Sequence, residues 1–136
     1  MITALDSSVI LDVVGADSAF AGPSLRAIRQ ASAEGSLIVC ECVVAEIRPA
    51  LAQEQLEEML SDWSLAYVAS SKESALLAGS MLEKYLARAK KSRRVLPDFL
   101  IGAHAVCHAD RLLARDRGYY RDYFTSLTLI QPGTQE

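Results

Sequence analysis

The stretch Ile2-Thr3-Ala4-Leu5-Asp6-Ser7-Ser8-Val9-Ile10-Leu11-Asp12-Val13-Val14-Gly15 decides the fold. Its first four residues form an apolar run that reads as a strand, and Asp6 ends it. Ser7 to Val14 reads as a helix stopped by Gly15. Short apolar runs recur along the chain at about Ser36 to Cys40, Leu65 to Val68, Arg111 to Ala114 and Leu127 to Ile130. Between them lie longer helical segments. Gly22-Pro23 opens one that reaches about Glu34, with proline suited to a first turn. A short helix carries Glu46 and stops near Pro49. Gln53 to Trp63 places Leu56, Met59, Leu60 and Trp63 at helical spacing. The next helix is predicted to start on a capping box, Ser70 with Glu73. Its apolar positions are Ala75, Ala78, Leu82, Tyr85, Leu86 and Ala89. Asp98 opens another helix, ending near Asp110, and Tyr119 to Phe124 is a short helical turn. Strands alternating with helices predict a three-layer α/β/α domain around a central, mostly parallel sheet of four to five strands. One such domain accounts for residues 1–132, with 133–136 a frayed tail.

Four acids stand at or just beyond the ends of apolar segments: Asp6, Glu46, Asp98 and Asp116. A carboxylate beside apolar surface is costly unless it is paired, hydrogen-bonded or coordinated. Neighbouring parallel strands would bring all four to one sheet edge, where open α/β sheets bind ligands. Oxygen-only donor sets select hard cations such as Mg2+ or Mn2+. Such an ion generates hydroxide from water and offsets charge developing on a phosphate. Taken singly the same acids have structural readings, Asp98 as a helix-start residue and Asp116 as a turn residue. Their joint fit to one edge is what favours chemistry.

Bulk properties narrow the class. At 136 residues, half of them hydrophobic, the chain can bury a core without staples. The net charge of -3 argues against a protein that coats duplex DNA but not against a nucleic-acid enzyme, since the four acids themselves supply negative charge. Three cysteines without framework spacing read as reduced thiols. No signal peptide is apparent, and no apolar run approaches the ~20 residues of a membrane span. A cytoplasmic protein without membrane attachment is expected.

Four blocks carry a family resemblance. They are Asp6-Ser7-Ser8-Val9-Ile10-Leu11-Asp12, Val43-Val44-Ala45-Glu46-Ile47, Pro97-Asp98-Phe99-Leu100-Ile101-Gly102-Ala103-His104-Ala105 and Arg115-Asp116-Arg117-Gly118-Tyr119-Tyr120. In this order the chain resembles a PIN domain, and within that group the VapC-type toxins of toxin–antitoxin pairs. The resemblance implies a Mg2+- or Mn2+-dependent endoribonuclease acting on single-stranded RNA regions, a homodimer and a small antitoxin partner. It implies that Asp6, Glu46, Asp98 and Asp116 hold the metal, with Ser7 or Ser8 in support. The chain departs from the pattern at Ala114, where members often carry Thr or Ser. The competing reading is therefore a catalytically weak or inactive PIN-like module that binds RNA or protein. A receiver-like or haloacid-type phosphoryl-transfer domain fits poorly, because Asp6 is followed by two serines and no lysine occurs after Lys91.

Other candidates carry two readings each. Asp12 is a helix-surface or supporting residue rather than a ligand. Asp122 is an outer fifth acid or a solvated turn residue. The basic run Arg88, Lys90, Lys91, Arg93 and Arg94 either complements a helix C-terminus or grips RNA phosphates, and Arg115 joins it as an RNA-binding candidate. Tyr119, Tyr120, Tyr123 and Phe124 read first as core packing, with base stacking as the alternative. Cys40, Cys42, His104, Cys107 and His108 match no standard zinc spacing. The family resemblance, more than the sequence itself, implies that exposed apolar stripes on the helices from Gln53 to Lys91 are the dimer surface.

Overall fold

A computed structural model describes residues 1–15, 19–88 and 93–133, the side chain of Arg93 excepted. The candidates Lys90 and Lys91, the Arg93 side chain and tail residues 134–136 lie outside the described residues. The chain runs β1 (Ile2–Leu5), α1 (Ser7–Val14), α2 (Ala21–Glu34), β2 (Ser36–Val39), α3 (Glu41–Ile47), α4 (Gln53–Asp62) and β3 (Leu65–Tyr67). It continues through α5 (Lys72–Arg88), α6 (Leu96–His108), β4 (Arg111–Leu113), α7 (Tyr119–Tyr123) and β5 (Leu129–Ile130). Pro49 sits in a 3₁₀ turn, Arg48–Ala50, that closes α3.

The five strands form one sheet in the order β3-β2-β1-β4-β5, and every pairing is parallel. The central strands are apolar without alternation because helices cover the sheet and bury them: Ala4, Leu5, Leu37, Ile38, Val39, Leu112 and Leu113 are all buried. Helix α6 is buried through Phe99, Ile101, Gly102, Ala103, His104 and Ala105, packing on both α5 and β4. From β1 the chain winds one way to β2 and β3, then returns to β4 and β5 on the other side. The strand order thus reverses between β1 and β4, and a crevice opens past their carboxyl ends. The Asp6 amide donates to the Leu113 carbonyl across that junction, at 3.0 Å.

The expected elements are present with local shifts. The last strand begins at Leu129 rather than Leu127, because the Leu127 amide turns back to the Phe124 carbonyl at 2.9 Å. The start of α5 is capped by Ser71 and Ser74, not by Ser70 and Glu73. The Ser71 amide donates to Ser74 Oγ (2.9 Å) and the Ser74 amide to Ser71 Oγ (3.1 Å), a reciprocal box. Ser70 is drawn off instead: its amide donates to Glu41 Oε1 at 2.8 Å. Ala75, expected on the apolar face of α5, is exposed, while Ser74 is buried there. Among the described residues no helix is long and apolar enough to cross a membrane.

Candidate active site

Strand β1 ends where Asp6 takes an extended conformation and caps α1 with its side chain. One carboxylate oxygen, Oδ2, accepts the Ser8 amide (3.1 Å) and the Ser8 hydroxyl. The other, Oδ1, accepts the Tyr120 hydroxyl at 2.8 Å. Asp6 is only 6% exposed, so these donors offset the cost of holding a charge among apolar strand ends. Ser8 has a second task, since its Oγ also accepts the Arg115 amide at 3.1 Å and ties α1 to the segment after β4.

Glu46 projects from α3 and is exposed; its Oε1 accepts the Ser7 hydroxyl at 2.6 Å. Asp98 stands in the first turn of α6 behind Pro97. Its pKa is pushed up to about 6, first by burial, then by the negative charges of Asp6, Glu46 and Asp116, against an opposing pull from Arg117. Asp6, Glu46 and Asp98, delivered by three different elements, line one cleft of about 440 Å³. Ser7, Ser8, Arg94, Arg115, Arg117, Tyr119 and Tyr120 line it with them. A larger groove, about 850 Å³, lies between α2 and the β4–β5 edge, but it contains the Arg111–Glu34 ion pair and none of these acids.

Asp116 behaves differently. Its Oδ1 accepts the amides of Gly118 (2.9 Å) and Tyr120 (3.2 Å), and its Oδ2 the amide of Arg121 (3.2 Å). The carboxylate is turned into the start of α7 and does not line the cleft, although its charge reaches Asp98. Among the described residues no three side chains of His, Cys, Asp or Glu stand together as a finished metal cage. All the candidate donors are nonetheless oxygens, the set that suits a hard divalent cation.

Several candidates occupy other places. Asp12 is buried, not on a helix surface: it accepts Ser24 Oγ at 2.7 Å and both Nε and Nη2 of Arg115, at 2.8 and 2.7 Å. Arg115, also stacked 4.2 Å from the centre of the Phe20 ring, is thus committed to Asp12 while lining the cleft. Asp122 is exposed beside Arg121 and away from the cleft lining. Arg88 lies over the Tyr123 ring and donates to its hydroxyl at 3.2 Å. Arg94 is exposed and lines the cleft. Of the zinc candidates, buried His104 donates from Nε2 to the Val68 carbonyl at 2.7 Å, and burial holds its pKa down.

Two residues of the cleft escape a reading by motif. Arg117 gave no signal beyond its charge. Tyr120 is a buried aromatic, as its segment suggested, yet its hydroxyl reaches an acid 114 positions away. Burial and the carboxylates of Asp6, Asp98 and Glu46 keep that phenol protonated, with its pKa well above the usual value of 10. It is therefore a permanent donor.

Comparison with known proteins agrees with the geometry. The family description "PIN domain" matches residues 3–124. Similar folds occur in VapBC2 from Rickettsia felis, solved with a DNA fragment from the promoter (TM-score 0.73, 15% identity, 97% of this chain and 99% of that one). VapBC-1 from nontypeable Haemophilus influenzae is also similar (TM-score 0.67, 15% identity, 96% and 98%). So is VapC20 from Mycobacterium tuberculosis, described as a toxin that cleaves the sarcin–ricin loop (TM-score 0.59, 14% identity, 88% and 93%). No curated protein matches. With a family match spanning nearly the whole domain and a parallel sheet that gathers carboxylates at its switch point, the chain belongs to the PIN domain family.

Proposed function

We propose that this protein is a Mg2+- or Mn2+-dependent endoribonuclease that hydrolyses phosphodiester bonds in single-stranded regions of RNA, as the toxin of a toxin–antitoxin pair. The observation that carries this reading is the convergence of Asp6, Glu46 and Asp98 on one cleft, where burial first and then the charges of the neighbouring acids raise Asp98 to about 6. Like charges held that close favour a cation among them. Asp6, Glu46 and Asp98 would hold it, with Asp116 beside them. When bound, the ion supplies Lewis acidity toward phosphate and a water acidic enough to deprotonate near neutral pH.

The remaining work falls to the chain itself. Arg94 and Arg117 bring guanidinium groups to the cleft, and such groups engage phosphate oxygens without reading the bases. They draw an RNA strand toward acids that would otherwise repel it. Tyr119, half-buried at the cleft, offers an aromatic surface to an unpaired base. Ser7 holds Glu46, and Ser8 holds Asp6, so each acid is oriented before substrate arrives. A partner antitoxin is proposed because two of the similar structures are VapBC assemblies. A cytoplasmic homodimer is proposed on the same likeness; Leu76 of α5 is a large exposed apolar group on the expected helix surface.

The test is cleavage of a panel of RNAs, single-stranded and fully paired, by antitoxin-free protein in Mg2+, Mn2+ or chelator, with Asp98→Asn in parallel. The expected result is metal-dependent cutting confined to unpaired regions and absent from the variant. Cutting that survives chelator or Asp98→Asn would contradict the proposal. RNA binding without cutting in any metal would instead identify a binding module.

A further inference from the structure

We propose that Tyr120 is a positioning residue that couples the first and fourth acids of the site, a role that rests on the metal-dependent reading given above. Its side chain and backbone act on different carboxylates. The hydroxyl donates to Asp6 Oδ1 at 2.8 Å, and the amide donates to Asp116 Oδ1 at 3.2 Å. One residue thereby links the acid that ends β1 to the acid that follows β4. Asp6 has its other oxygen committed to Ser8, so the Tyr120 hydroxyl removes the remaining rotational freedom of that carboxylate.

The seat of Tyr120 is built for this reach. The residue is 4% exposed, and its ring lies against α6 at Gly102. A Cβ there would stand 3.1 Å from Tyr120 Cδ1 and 2.8 Å from Phe124 Cε2. Only the bare backbone of glycine lets the two rings sit this deep between α6 and the strand ends. This buried aromatic lines the cleft, and its phenol meets a carboxylate there. A residue present only to fill space would need no hydroxyl. Phenylalanine, as at neighbouring Phe99 and Phe124, would serve.

The experiment is a calorimetric titration of Mn2+ into wild type, Tyr120→Phe and Tyr123→Phe, with thermal melts and RNA cleavage kinetics on the same preparations. Tyr123 is the control, because its hydroxyl meets Arg88 rather than an acid of the site. Tyr120→Phe is expected to bind Mn2+ roughly tenfold more weakly, the scale of one hydrogen bond to a charged group. It should lower kcat with little change in KM for RNA, while Tyr123→Phe retains wild-type Mn2+ affinity. Unchanged affinity in Tyr120→Phe would overturn the proposal. Tighter binding would overturn it too, since the hydroxyl would then only drain charge from Asp6. A wild type that binds no Mn2+ would remove the metal-dependent reading, and this proposal with it.

Discussion

At Asp98, burial and the surrounding carboxylates push the same way, and the residue is less stable as a charge here than in water. Its raised pKa favours the protonated form in the fold. Any stability it contributes is fully present below about pH 4, the unfolded value, and is lost as pH rises through about 6. Without metal, Asp98→Asn is therefore expected to stabilise the protein at pH 7.5, by about 1 kcal/mol after allowing for partial solvent screening, while cutting cleavage by roughly a hundredfold or more. Urea unfolding in chelator and a cleavage assay read the two effects. Arg115 sits on the opposite side of this balance. Its bidentate pairing with buried Asp12 means that Arg115→Gln strands a charge, at a cost of about 1–3 kcal/mol given that the arginine itself is partly exposed. An unchanged urea midpoint would contradict that placement.

Among the elements, α1 follows its sequence closely, from Ser7 to Val14, because an acid cap, an apolar stripe and a glycine stop all agree. The start of α5 does not. Ser70, Ser71 and Ser74 are all plausible caps by composition, and the choice was made by Glu41, an acid 29 positions earlier that takes the Ser70 amide. That Asp6 and Asp98 would meet at one edge of the sheet was legible because each follows an apolar run or opens a helix. The turning of Asp116 into α7 was not, since it depends on where the Gly118 and Arg121 amides point after folding. Tyr120 was hidden for a similar reason: its reach to Asp6 depends on the space left by Gly102, which no local pattern announces. That space is testable. Alanine in a helix usually gains about 1 kcal/mol over glycine. Gly102→Ala should instead cost about 1–3 kcal/mol, because its methyl meets the Phe124 ring. A thermal melt above wild type would show that the rings yield easily.

Across the whole molecule, a parallel sheet reverses its strand order between β1 and β4, and loops and helix starts at that reversal carry the acids. The layers of α5, α6 and the sheet form the rigid support, while the acids retain mutual repulsion that a cation would relieve. A cation bound there would compete with the proton for Asp98. Mn2+ is expected to raise the melting temperature more at pH 7.5 than at pH 5.5, with the change centred near the Asp98 value of about 6. A shift equal at both pH values would place the ion elsewhere. The most direct measurement is calorimetric titration of Mn2+ into metal-free wild type and Asp98→Asn at pH 7.5. Saturable binding by the wild type, largely abolished in the variant, is the predicted result. Equal binding by both proteins, or none by the wild type, would contradict a metal-dependent nuclease site in this cleft.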